Sequence, residues 1–203
     1  MDKPADIDKW FHKTFNGAFD EAVERYGDKV ALIFKDRELT YEALGHQVSK
    51  LALGLVKLGV KKGDHISIWL PNALEWIVCK FAIIKAGAVM IPVNTRYKAK
   101  EVAYILKQSN SSTLFMTVRF LGIDYVTMIR EICPEIDTAQ PGGLNSRNLP
   151  RLKNLVLVNE QGAPGFLKYS EIMEKGRDYD DDDTLGEIAR TVQPLDIVNI
   201  QYT

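Results

Sequence analysis

With 203 residues, 46% of them hydrophobic, and 26 Lys and Arg against 27 Asp and Glu for a net charge of −1, the chain has the make-up of one soluble globular domain or of part of a larger one. That charge balance gives no reason to expect nucleic acid or an anionic membrane surface as a partner, and no apolar run approaches the roughly 20 residues that a transmembrane segment needs. The opening MDKPADIDKWFHKTF lacks the basic start and apolar core of a secretory signal, and Cys79 and Cys133, far apart and without CxxC spacing, indicate neither a disulfide framework nor a metal site; a reducing, cytoplasmic setting is expected.

Residues 1–14 read as an N-terminal tail and 15–203 as an α/β region. DEAVERYGDKVALIF predicts a helix ending near Tyr26-Gly27 and a strand over Val30–Phe34, after which KDREL turns into a short returning strand. Thr40 is placed to cap the next helix, with Glu42 in its positive first turn. Leu44, Val48, Leu51, Leu55 and Leu58 follow the spacing of one buried stripe, and Gly59 supplies a left-handed stop. In DHISIWLPNALEWIVCKFAIIKAGAVMIPVN, a strand carrying Ile66, Ile68 and Leu70 is broken by Pro71-Asn72. Asn72, with Glu75 three residues on, predicts a capping box for a helix through Trp76, Phe81 and Ile84 to Gly87. AVMIPV is then a second, almost wholly apolar strand. Strand, helix and strand within roughly 30 residues have the length of a right-handed βαβ crossover, and continuous apolarity marks strands covered on both faces.

The unit repeats. AKEVAYILKQS predicts a helix with Val102, Ile105 and Leu106 inward, STLFMTV a strand, and the stretch around Tyr125–Ile132 a helix that ends before Pro134. EIDTAQPGGLNSRNLPRL is a loop, NLVLV a strand and YSEIMEKG a short helix. DYDDDDTLGEIARTVQPL reads as a polar crossing that leads to a last strand, DIVNIQY. The order βαβαβαβ predicts an open, doubly wound, mostly parallel sheet with helices on both faces.

Few residues outside this framework suggest chemistry. The run Asp180–Asp183 lacks the spacers and glycine turn of a cation loop and reads as a solvated segment. PGG (141–143) and GAPG (162–165) neither follow an apolar strand nor open a helix, so they are turns and not phosphate loops. His12, His46 and His65 have no Cys, Asp or Ser constellation at a telling spacing, Lys61-Lys62 look like a solvated corner, and Trp69 and Trp76 fall on apolar faces. Pattern alone thus supplies a fold and no reaction.

Three segments, in order, resemble the AMP-forming acyl-CoA synthetases of the adenylate-forming superfamily: LTYEAL (39–44), KAGAVMIPVNTRY (85–97) and DIVNIQYT (196–203). The likeness extends from about Phe15 to Thr203, and ICPEIDTAQPGGLNSRNLPRLKNLVLV is most similar to the branch acting on medium-chain and other fatty acids. It implies the incomplete N-terminal part of a two-lobed enzyme, without the small C-terminal lobe. Such an enzyme joins a fatty or other small carboxylic acid to the adenylyl group of MgATP, releasing pyrophosphate, and passes the acyl group to the thiol of CoA. Thr203 matches the first residue of the family's ATP phosphate-binding loop, and Arg96 matches a position that in some relatives contacts CoA phosphate, a group suited to the planar guanidinium fork. The alternative for Arg96 is an exposed loop residue paired with a nearby carboxylate. Tyr41 and Lys85 are expected to pack and cap. No catalytic or metal-binding residue is assigned, because the resemblance puts the phosphate loop, magnesium ligand, ribose-binding aspartate and adenylating lysine after Thr203. The expectation is a fragment of a fatty-acid:CoA ligase that is inactive by itself, holds no cofactor tightly and self-associates through uncovered apolar surface. Two other readings stay open: a free-standing binding or assembly module, and part of an enzyme that adenylates another carboxylate.

Overall fold

Alternation along the strands decides the architecture. The structure, a computed structural model, describes residues 12–158 and 162–202. Its elements are α1 (Phe15–Tyr26), β1 (Val30–Phe34), β2 (Arg37–Thr40), α2 (Tyr41–Lys57), β3 (His65–Trp69), α3 (Leu74–Lys85), β4 (Val89–Pro92), α4 (Ala99–Gln108) and β5 (Thr113–Met116). There follow β6 (Arg119–Phe120), β7 (Ile123–Asp124), α5 (Tyr125–Ile132), a 3-10 turn (Pro134–Asp137), β8 (Asn154–Leu157), β9 (Leu167–Lys168), α6 (Tyr169–Lys175) and α7 (Thr184–Thr191). Five strands form one sheet in the order β4-β3-β5-β8-β9, every pair parallel. The β1–β2 and β6–β7 hairpins are antiparallel and separate from it. This is the open, doubly wound α/β sheet that the sequence predicts.

Each strand sends neighbouring side chains to opposite layers, as the pleat requires. Ile66, Ile68, Met90, Phe115 and Val156 join a core with α1, α2, α3 and α6. Trp69, Val89, Ile91, Leu114, Met116, Leu155 and Leu157 join a second core with α4, α5 and the 3-10 turn. Burial on both faces explains why these strands read as continuous apolar runs.

The helix ends follow their local chemistry. Thr14 and Thr40 cap α1 and α2 by accepting from the amides of Gly17 (3.0 Å) and Ala43 (3.2 Å). The stripe of α2 is buried at Leu44, Val48, Leu51 and Leu55, and Gly59 stops the helix with φ +100°. Where α2 crosses α6 the backbones nearly touch: a Cβ on Gly54 would lie 2.0 Å from the Ile172 carbonyl oxygen, and one on Gly176 1.9 Å from that of Lys50.

Three expectations change. The α3 helix begins one residue later than the Asn72 capping box requires: Ala73 is the cap residue and makes no side-chain bond. Glu75 accepts instead from Arg37 on the β1–β2 hairpin, at 3.2 Å. The polar crossing contains a two-turn helix, α7, with Leu185 buried against the first core. DIVNIQY is not a full strand. It touches the β4 edge through one parallel bridge, Met90 to Asn199, with Met90 N donating to Val198 O (2.9 Å) and Ile200 N to Met90 O (3.0 Å).

Candidate functional site at the carboxyl end of the sheet

Because all five strands are parallel, their carboxyl ends open on one side. Numbered among themselves they run 2-1-3-4-5, so the chain reverses its direction across the sheet between β3 and β5. In open α/β sheets that switch point, outside the carboxyl ends, is where ligands settle. A cleft of about 600 Å³ lies there, with Leu70 and Pro71 following β3, Thr117 following β5 and Val158 following β8. Arg37 and Glu75 line its mouth as an ion pair, and Tyr169 forms part of its wall. Among the described residues the buried Tyr169 hydroxyl has no hydrogen-bond partner, and burial, aided by the nearby Cys79 and Glu75, pushes its ionisation far up.

Beside the cleft, the loop after β4 carries Arg96, and two buried aromatic side chains hold it. Trp69, at the end of β3, donates from Nε1 to Asn94 O (3.1 Å). Tyr125, at the start of α5, donates from Oη to Thr95 O (2.7 Å). The two rings stack with centroids 3.8 Å apart and planes 4° apart, and both are fully buried. Burial pushes the Tyr125 phenol up to about 12, so at neutral pH it keeps the proton it donates. Asn94 Oδ1 accepts from Arg96 N (2.9 Å) and closes the turn. The loop backbone is thereby fixed at three consecutive residues, while the Arg96 side chain stands exposed. Among the described residues no carboxylate pairs with it, which removes the simplest structural reason for that arginine.

The bridge to Met90 runs residues 198–200 parallel to β4, so Gln201 and Tyr202 leave the sheet at the same carboxyl edge as Asn94–Tyr97. Tyr202 is half-buried, and burial together with Tyr104 raises its phenol. Thr203, the other predicted site residue, lies outside the described residues.

Other candidates have structural roles. Tyr41 packs on Tyr26 (centroids 5.9 Å apart), and Lys85 pairs with Asp20 (2.6 Å), tying α3 to α1. His46 bonds the Tyr179 hydroxyl, and His65 Nδ1 donates to Ser109 O. In the acidic run, Asp182 accepts from Thr184 N (3.0 Å) and pairs with Lys57 (3.5 Å), and Asp183 pairs with Arg190 (3.2 Å). Among the described residues, no group of three or more His, Cys, Asp or Glu could hold a metal ion, and no helix is long and apolar enough to cross a membrane. Gly142 and Gly165 take φ of +80° and +81°, so PGG and GAPG are turns. No spacing or motif in the sequence links Trp69 and Tyr125 to the Arg96 loop. Only the amphipathic chemistry of the two side chains, apolar rings with a polar tip that must find a partner when buried, pointed that way.

Residues 19–203 match the family described as AMP-binding enzyme. Among curated proteins, YngI of Bacillus subtilis (strain 168) is 33% identical over 95% of this chain and 35% of its own length. The mitochondrial medium-chain acyl-CoA ligase ACSF2 is 34% identical in Pongo abelii and 32% in Homo sapiens, over 94% of this chain and 31% of each relative. The chain thus spans about a third of the length of the relatives it matches. Of solved structures, coronafacic acid ligase from Pectobacterium brasiliense superposes with a TM-score of 0.74 at 20% identity, over 94% of this chain and 33% of that one. The anthranilate CoA ligase AuaEII does so at 0.66 and 24%, over 81% and 28%.

Proposed function

Because the chain belongs to the AMP-binding enzyme family, whose model it matches over residues 19–203, we propose that it is the N-terminal portion of the large lobe of an AMP-forming acyl-CoA ligase. In this reading residues 15–203 form an α/β region of that lobe, the substrate is a fatty acid of medium length, and the chain by itself does not form the acyl-adenylate. The family match over nearly the whole chain carries the proposal; the share covered, 31–35% of the relatives, supports the view that other segments complete the site.

In that enzyme MgATP supplies the adenylyl group that activates the carboxylate, and CoA supplies the accepting thiol. This chain's contribution is positioning. Arg96 fits a phosphate: its charge is permanent, its donor fork is unpaired among the described residues, and Trp69 and Tyr125 fix the backbone beneath it. We assign it to a CoA phosphate, and Thr203 to the start of the loop that receives ATP. A single arginine at an open edge cannot align ATP with a carboxylate, which is the physical ground for inactivity, since adenylyl and phosphoryl transfer depend chiefly on positioning and charge stabilisation. Exchange of labelled pyrophosphate into ATP, with decanoate, benzoate and an amino acid offered in turn, tests the reading. No exchange is expected from the 203-residue chain; exchange would overturn its inactivity. A longer ligase containing this segment should prefer decanoate, and preference for benzoate or an amino acid would overturn the fatty-acid assignment. The cytoplasm is the proposed location. Since the ACSF2 relatives are mitochondrial by name, cell fractionation is the check, and recovery in mitochondria would overturn it.

A further inference from the structure

We propose that the opposite, amino-terminal end of the sheet carries a second anion site, a basic cleft that takes a phosphorylated small molecule. The cleft has a volume of about 450 Å³ and lies between the α2–β3 corner and the loop entering β8. Lys61 lines it from the corner, Arg151 and Lys153 from the loop, with Ser112 and Gly142 between them and Asp64 as its one carboxylate. Three cations against one carboxylate leave the lining at a formal +2, in a chain whose net charge is −1.

Unlike the two lysines nearest in sequence to the corner, these cations have no partner among the described residues. Lys62, next in sequence to Lys61, is held by Asp196 (2.8 Å) and Thr191 O (2.6 Å), and Lys57 by Asp178 (2.6 Å). Among the described residues, Lys61, Arg151 and Lys153 form no side-chain hydrogen bond or ion pair. Asp64, already counted in that balance, accepts at Oδ2 from the backbone N of Lys61 (2.9 Å) and, among the described residues, pairs with none of the three side chains. The nearby carboxyl end of α2 is self-satisfied as well: the carbonyls of Gly54, Leu55 and Val56 accept from Leu58, Gly59 and Val60. The negative end of the helix amounts to about half a charge, which the lining's formal +2 outweighs.

The backbone beneath the cations is fixed. Lys153 N and Asn154 N both donate to Ser112 O (2.8 and 3.1 Å), Leu144 N to Lys153 O (3.2 Å) and Asp64 N to Lys61 O (3.0 Å). Binding therefore orders side chains alone, which keeps its entropic cost small. One planar guanidinium and two ammonium groups lining the same cleft suit a tetrahedral oxyanion with at least two charges, whereas a monocarboxylate would leave two cations unanswered. The cleft admits a ligand of about nucleotide size, and three cations are too few for the several phosphate contacts of a nucleic-acid groove.

Calorimetric titration of the 203-residue chain with inorganic pyrophosphate, inorganic phosphate and acetate tests the site. One saturable event is expected, tighter for pyrophosphate than for phosphate and undetectable for acetate. In Arg151→Gln/Lys153→Gln the dissociation constant should rise about tenfold, the loss of one exposed charged contact or two. In Arg96→Gln, at the far end of the sheet, it should not change. All three residues are exposed, and a melting temperature matching the wild type will show that each variant is folded. No saturable binding at millimolar pyrophosphate, or loss in Arg96→Gln and not in the double variant, would overturn the proposal. So would capture by phosphatidic-acid vesicles without binding of free pyrophosphate.

Discussion

Replacing Gly54 by alanine sets two effects of opposite sign against each other. Gly54 lies inside α2, where alanine gains about 1 kcal/mol in helix propensity. The added Cβ, however, would sit 2.0 Å from the carbonyl oxygen of Ile172, 2.9 Å from its carbon and 3.0 Å from its Cγ2. Contacts of this kind need at least about 3 Å, so α2 and α6 must part by roughly 1 Å, and the nearest obstacle is backbone, which cannot turn aside. Overpacking by one methyl typically costs 1–3 kcal/mol, and an obstacle of this kind belongs at the upper end, about 3. The net expectation is about 2 kcal/mol of destabilisation, a fall in melting temperature of roughly 4–8 °C for a domain of this size. Gly45→Ala is the contrast, because its Cβ would meet the end of a side chain, Val23 Cγ1 at 2.8 Å; propensity and crowding should cancel to within about 1 kcal/mol. Thermal and urea unfolding followed by circular dichroism, with unchanged urea dependence, would measure both. A Gly54→Ala protein as stable as the wild type, or more so, would refute the close-approach argument.

Two further substitutions probe the candidate site and its surroundings. Tyr125→Phe keeps the stack on Trp69 but leaves Thr95 O without its donor; it should cost about 1 kcal/mol and quicken amide exchange at Arg96 and Tyr97, and unchanged exchange there would refute the holding role. Asp124 caps α5: the Thr127 amide, and then Arg119, hold its carboxyl below the usual range against the opposing effect of burial. A depressed native pKa gives stability that is present above about pH 4 and lost as pH falls through the native value. Asp124→Ala should therefore cost about 1 kcal/mol at pH 7, with the gap to wild type closing below pH 4; urea midpoints at pH 7 and pH 3 decide, and a gap independent of pH would count against the charged cap.

The parts of the fold that could be read from sequence are those fixed by local pattern. The α2 stripe, the Thr40 cap and the apolar runs of β3, β4, β5 and β8 carry their own instructions, because helix and strand periods differ and burial on both faces leaves few polar positions, such as Ser67, Thr113 and Asn154. Where the outcome depends on a distant partner, pattern fails. Asn72 and Glu75 have the spacing of a capping box, but Arg37, far off in sequence, takes the carboxylate. DIVNIQY has strand composition, yet a strand needs neighbours, and only the β4 edge is offered. In α7 the apolar face is reduced to Leu185 and Ile188 among Glu187, Arg190 and a glycine, too short a stripe to register. Arg96 was legible only through family likeness, and its support by Trp69 and Tyr125 was not, because the sheet alone brings residues 69, 94, 95 and 125 together.

The two cysteines stand on opposite sides of the sheet, Cys79 in one core and Cys133 in the other, each without exposed surface. Burial raises both thiols, so neither reacts as a thiolate while its layer is closed. A thiol reagent therefore meets each sulfur only when that layer opens. The order in which the two are labelled reports which side of the molecule loosens first, without any residue having to be introduced.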